Sequence, residues 1–166
     1  MQTVNVAVMG HGVVGSGVVE VLLSHDKSIA VKAKSNINVK YILDLREFPN
    51  HPLGDRVVHD ITPILEDKDV TIVVETMGGT VPAYDFSKKA LLAGKSVVTS
   101  NKELVAEKGA ELLSIARAHN ANFLFEASVG GGIPLIRPLY SAMGAAGITE
   151  MAGILNGTTN YILTKM

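Results

Sequence analysis

Three stretches of this chain carry residue types that could do chemistry. The first is Gly10-His11-Gly12-Val13-Val14-Gly15, set between an apolar run over 4–9 and a helical pattern that includes Val18, Val19, Leu22 and Leu23. Where a buried strand turns into a helix, only a residue without Cβ lets the main chain close on a pyrophosphate. The unpaired N–H groups and positive dipole end of the helix then hold the anion. Strand, glycine spacing and helix together meet the requirements of a dinucleotide site, although the same glycines would also serve a purely structural turn. The second stretch is Thr76-Met77-Gly78-Gly79 with Ser100-Asn101-Lys102, each following an apolar run. Neighbouring strands of an open α/β sheet end on one crevice, so Lys102 would project a cation into it. A buried lysine there can polarise a carbonyl or relay a proton. The plainer reading is a surface lysine in a helix's first turn, where a cation opposes the dipole. The third, Glu126-Ala127-Ser128-Val129-Gly130-Gly131-Gly132-Ile133-Pro134, offers a carboxylate and steerable carbonyls, a set suited to a hard cation. Its glycines would equally let two backbones pass closely.

These residues need a scaffold, and the pattern along the chain supplies one. Short β-branched runs over 3–9, 38–44, 70–75, 96–99, 121–125 and 148–155 alternate with helical patterns over 13–25, 63–66, 82–93, 102–120 and 134–143. Such alternation predicts βαβ units with right-handed crossovers and a Rossmann-type, doubly wound parallel α/β sheet. Pro63 and Pro82 suit helix first turns, and Gly94 suits a helix end. Residues 24–36 read as an extended helix and loop, and 46–55 as an irregular connection. Beyond Asn156-Gly157-Thr158-Thr159-Asn160, a capping segment, an apolar-periodic helix runs for about two turns, too short to stand alone. Residues 1–147 are therefore expected to form a cofactor domain, with 148–166 the beginning of a second domain in a longer protein.

Composition narrows the function. The 166 residues are 47% hydrophobic and 19% charged, with no Trp, which suits a parallel sheet buried on both faces. A net charge of −1 gives no broad basic surface for nucleic acid or acidic membranes. Absence of cysteine removes disulfides, thiolate zinc and a cysteine nucleophile, and is compatible with a reducing cytoplasm. No apolar run is long enough for a bilayer span. His11, His25, His51, His59 and His119 lack metal-ligand spacing and are expected in loops or solvent, His11 within the phosphate loop. After the second strand stand Asp44, suited to the ribose hydroxyls of NAD, and Arg46, suited to the 2′-phosphate of NADP. Coenzyme choice stays open on these residues alone.

With these motifs in hand the chain resembles the homoserine dehydrogenase family. The stretches that carry the likeness are Gly10 to Gly17, Val73 to Gly79, Gly94 to Lys102, Phe125 to Pro134 and Gly153 to Leu163. The resemblance implies reversible hydride transfer between NAD or NADP and the carbonyl carbon of L-aspartate 4-semialdehyde, giving L-homoserine in threonine, methionine and isoleucine biosynthesis. By that likeness Gly10, Gly12, Val13, Val14 and Gly15 hold the pyrophosphate, and Arg46 meets the NADP phosphate. Thr76, Ser100 and Lys102 lie beside the nicotinamide, with Lys102 one of two catalytic lysines, and Thr158 falls near the substrate. A structural sodium ion is implied on Glu126 and the carbonyls of Val129, Gly131 and Ile133. The resemblance also implies a cytoplasmic enzyme that works as a homodimer through its substrate domain, to which the second lysine would belong. Two other readings compete. A non-catalytic NAD(P)-sensing module would need neither Lys102 nor Glu126, and a semialdehyde dehydrogenase would need a cysteine nucleophile, which is absent.

Overall fold

Met9 marks the line on which the molecule is built. The computed structural model describes residues 1–143, 149–150, 152–153 and 157–166, with 157–160 as backbone only. Strand β1 (Gln2–Met9) runs into helix α1 (Val13–Ser24), followed after one residue by α2 (Asp26–Ala33) and β2 (Ser35–Leu43). A short β3 (Val57–Val58), α3 (Thr62–Glu66), β4 (Val70–Glu75), α4 (Ala83–Leu92), β5 (Ser96–Thr99), α5 (Lys102–Ala118) and β6 (Phe123–Leu124) complete the sheet and its helices. Helices α6 (Ile136–Ala142) and α7 (Gly157–Lys165) follow.

The six strands are all parallel, in the order β3-β2-β1-β4-β5-β6. The chain moves outward from β1 in one direction, returns, and moves outward in the other. The turning point between β1 and β4 is where such sheets leave a crevice for ligands. Side chains alternate across β1 as the strand period demands. Ala7 and Met9 join the core beneath α3, α4 and α5, with Ile64, Leu91, Leu104 and Leu112; Val6 and Val8 pack on the opposite face with Val19 of α1. Burial on both faces explains why the strands are apolar runs rather than alternating ones.

Register lines up the strand ends. Met9 lies level with Leu43 on one side and Glu75 on the other, Glu75 with Thr99, and Leu43 with Val58. The next residues, Gly10, Asp44, Thr76, Ser100 and His59, therefore all emerge at one edge of the sheet. The expected strands over 70–75 and 96–99 are observed with those bounds, and 3–9 with one residue more. Other expectations shift. The strand expected over 121–125 contracts to β6, and residues 24–36 contain a separate helix, α2, opened by Asp26 and ended by Lys34 at φ 54°. β3 was not expected, since two residues carry no period. Gly94 does end α4, with φ 73° and its N–H on the Leu91 carbonyl at 2.9 Å. Of the strand expected over 148–155, residues 149–150 and 152–153 are described and form no strand, while the others and the side chain of Thr158 lie outside the described residues.

Candidate functional site

The glycine turn is built by hydrogen bonds that pin it to both neighbouring strands. Gly10 donates its N–H to the Leu43 carbonyl at 2.8 Å, and Thr76 donates its own to Met9 at 2.9 Å. The Thr76 hydroxyl lies between the Met9 and Gly10 carbonyls, at 3.0 and 2.8 Å. Each glycine then has its own reason. Gly10 takes φ 91°, a conformation that L side chains rarely adopt. A Cβ on Gly15 would fall 1.8 Å from the Gly10 carbonyl oxygen, so α1 can pack this close to β1 only without one. A Cβ on Gly12 would meet nothing within 4 Å. Gly12 therefore has no packing role, and the space beside it is open.

The start of α1 is left open in the same way. No side chain caps it and its first turn holds no acid. Ser16 is the first amide to reach a helical acceptor, the Gly12 carbonyl at 2.9 Å. The amides of Val13, Val14 and Gly15 thus have no partner among the described residues, at the positive end of the helix. Val13 is 93% exposed and Val14 52%, unusual for valines beside a buried strand.

Two cavities flank this turn and meet at Thr76 and Met77. One, of about 490 Å³, is lined by Gly12, Asp44, Arg46 and His59; the other, of about 440 Å³, by Val14, Gly79, Ser100, Asn101 and Lys102. In the first, Arg46 forks onto Asp44, Nε to Oδ1 at 2.9 Å and Nη2 to Oδ2 at 3.0 Å, and Nη2 also reaches the His11 carbonyl at 3.1 Å. Asp44 accepts two amides as well, from His11 at 2.8 Å and Arg46 at 3.0 Å. The Arg46 guanidinium holds the Asp44 carboxyl far below the usual carboxylate range, against the opposing effect of burial, with both amides helping. His59 is held by the Asp44 carbonyl and Glu47, each at 2.7 Å. In the second cavity Lys102 opens α5, beside Glu103, the acid that offsets its unfavourable place at the helix start. Its ammonium makes no hydrogen bond or ion pair among the described residues. Ser100 lines the same wall.

His11 departs from expectation. It is 6% exposed, edge-on to Phe48 and His51 at ring-centroid distances of 4.7 and 4.8 Å, with Nδ1 buried and unpartnered. Burial lowers its pKa first, then His51 and Arg46, with Asp44 opposing; His59 shifts the other way, through the Asp44 carbonyl and then Glu47. The folded state therefore disfavours protonated His11, while the unfolded chain protonates it at about 6.5. Its contribution to stability is complete above that value, declines below it, and is lost as pH falls through the lowered value of the folded state. We expect proton-detected histidine titration to place His11 below, and His59 above, the ordinary value. His11 titrating at or above it would contradict the burial account.

Glu126 also differs from its implied role. Its carboxylate accepts the amides of Leu135 at 2.5 Å, Ile136 at 2.8 Å and Arg137 at 2.9 Å, which together lower its pKa against burial. Three of about four lone-pair positions are thus spent on the start of α6. Gly130 shows why glycine stands in this turn, since a Cβ there would lie 2.3 Å from the Ile133 carbonyl. The side chain acts as a helix cap, and these residues do not fit a cation led by the Glu126 carboxylate; only main-chain carbonyls such as those of Val129, Gly131 and Ile133 would remain for one. Among the described residues no group of three or more His, Asp or Glu is placed to hold a metal, and no helix is long and apolar enough to cross a membrane.

A parallel sheet of this strand order, with an open glycine turn at its switch point and a cavity on each side, defines a dinucleotide-binding α/β protein. Residues 10–126 match the family model for the NAD-binding domain of homoserine dehydrogenase, and 134–166 match the homoserine dehydrogenase model that follows it. The chain belongs to the homoserine dehydrogenase family. The Bacillus subtilis homoserine dehydrogenase is 38% identical over 100% of this chain and 39% of its own length. The solved structure of the Thiobacillus denitrificans enzyme superposes with a TM-score of 0.88 at 34% identity, over 100% of this chain and 39% of that one. A hyperthermophilic archaeal homoserine dehydrogenase in complex with NADPH matches with a TM-score of 0.69 at 25% identity, over 83% of this chain and 48% of that one. The chain thus spans about 39% of the length of the curated relative.

Proposed function

We propose that this chain is the coenzyme-binding part of an enzyme that interconverts L-homoserine and L-aspartate 4-semialdehyde with NADP(H). The observation that carries it is the pair of cavities joined at Thr76 and Met77 across the open glycine turn. The residues fit the coenzyme. Gly12 and the amides of Val13, Val14 and Gly15 face the space for the pyrophosphate, Arg46 offers its guanidinium to a 2′-phosphate, and Thr76, Ser100 and Lys102 border the nicotinamide side. When bound, the nicotinamide would supply the hydride acceptor, and the donor in reverse. Lys102 holds an ammonium group free to polarise the reacting oxygen or take its proton. A sensor of NADP would gain nothing from an unpaired lysine there. In this reading residues 1–147 bind coenzyme, 148–166 with Thr158 open the substrate part, and the second lysine and the homodimer contacts come from the further length that relatives carry.

The test is a titration of the 166-residue chain with NADPH, followed by the fluorescence of the reduced nicotinamide. Saturable binding that 2′,5′-ADP competes away is expected, and its absence would overturn the coenzyme reading. With homoserine and NADP this chain alone should form no NADPH, whereas the chain joined to the further sequence of its relatives should. Turnover by the 166 residues alone would show that they hold a complete proton-transfer apparatus.

A further inference from the structure

Glu75 ends β4 fully buried, with no cation paired to it among the described residues. Its carboxylate is nonetheless satisfied. Oε1 accepts the Met77 N–H at 2.7 Å and Oε2 accepts the Thr99 hydroxyl at 2.5 Å. Thr99, level with Glu75 on β5, accepts the Asn101 N–H at 2.9 Å. Asn101 then reaches two ways. Its Nδ2 donates to the Gly79 carbonyl at 2.6 Å, and its Oδ1 accepts the Leu104 N–H at 3.1 Å, capping α5. The direction of this chain of bonds follows from donor and acceptor types. A carboxylate can only accept, so the single Thr99 proton must point at Glu75, which leaves the Thr99 lone pairs for Asn101.

We propose that Glu75 is the positioning residue of the nicotinamide half of the crevice. It acts through Thr99 and Asn101 on the Gly78–Gly79 turn and on the Ser100–Lys102 turn, both of which line the second cavity. This network bonds to neither Arg46 nor Asp44 and meets the first cavity only at Met77, which borders both, so the groups that would read the adenosine phosphate are held by other bonds. The proposal rests on the coenzyme reading above. A glutamine at 75 presents an oxygen to Met77 but an NH₂ to Thr99, whose proton is then left without an acceptor. Thr99→Val keeps the shape and removes the hydroxyl; Thr99→Ser keeps the hydroxyl and removes a methyl.

The experiment compares NADPH with 2′,5′-ADP on the same 166-residue chain. Glu75→Gln and Thr99→Val should weaken NADPH about tenfold and abolish the fluorescence change of its ring, with 2′,5′-ADP within about twofold, the scale of one mispaired buried hydrogen bond. Thr99→Ser should behave as the parent. A merely structural role predicts another pattern: Thr99→Ser as damaging as Thr99→Val, or both ligands lost together. Either result overturns the proposal, as does an unchanged ratio of the two affinities. A parent chain that binds neither ligand, or binds NADPH without the ring signal, removes instead the coenzyme reading on which the proposal stands.

Discussion

Gly15→Ala should cost this domain about 3 kcal/mol or more, at the upper end of what overpacking produces. The added Cβ would sit 1.8 Å from the Gly10 carbonyl oxygen and 2.7 Å from the Thr76 hydroxyl. Relief by movement is blocked on both sides. Gly10 is fixed by its bond to Leu43, and Thr76 by its bond to Met9, so neither can withdraw without breaking a ladder at the sheet's centre. Withdrawing α1 instead would lift Val19, fully buried, out of the core. The result should appear as a lower urea midpoint with an unchanged slope. Gly12→Ala is the informative contrast. Gly12 has φ −78° and ψ −161°, which alanine tolerates, and open space where the methyl would stand. Stability should change by about 0.5 kcal/mol or less, while NADPH affinity falls tenfold or more, on the order of one unfilled phosphate contact. Two glycines three residues apart would thus separate folding from binding. A Gly12→Ala chain that binds NADPH unchanged would place the diphosphate somewhere other than this turn.

The ease of reading the sequence differed between these residues for physical reasons. β1, β4 and β5 were legible because burial on both faces makes an unbroken apolar run, and their ends were marked by glycine, threonine or serine. α2 was less so: Asp26, Lys27, Ser28 and Lys32 give it little apolar face, and it leans on β2 rather than on its own amphipathicity. The glycine turn was legible as a site, but the separate duties of Gly12 and Gly15 depend on which atoms stand opposite each Cα. Glu126 shows the limit of composition. A carboxylate near carbonyl-rich glycines suggests a cation, and only the fold reveals that the amides of 135–137 turn back toward it. Glu75 did leave a signal, a lone acid closing the run Val70–Glu75 with no basic residue near it in sequence. A charge in a strand buried on both faces must be satisfied locally, and that expectation would have led to Thr99.

If coenzyme binds as proposed, its choice falls at Asp44, and there Arg46→Ala should have the largest effect on binding. In an NAD site the acid after the second strand is free to take the ribose hydroxyls. Here each Asp44 oxygen already accepts one amide and one guanidinium nitrogen. The pair holds Arg46 in place, braced over the Phe48 ring at 5.2 Å, with its side chain 62% exposed toward the cavity. Because the Asp44 carboxyl titrates far below the usual range, the fork persists throughout the neutral and mildly acid region. Removing the guanidinium should weaken NADPH about 100-fold, the scale of a lost charge-assisted bidentate contact. NADH should respond differently. It has no 2′-phosphate to lose, and each Asp44 oxygen would exchange a guanidinium bond for an open acceptor position beside the same cavity, so its affinity should hold or rise. Titrating both coenzymes against the parent and Arg46→Ala measures the ratio directly, and high salt should shrink the parent's preference for NADPH, because the contact is exposed. Equal losses for the two coenzymes would make Arg46 a brace for the glycine turn, through its bond to the His11 carbonyl, rather than a reader of the phosphate.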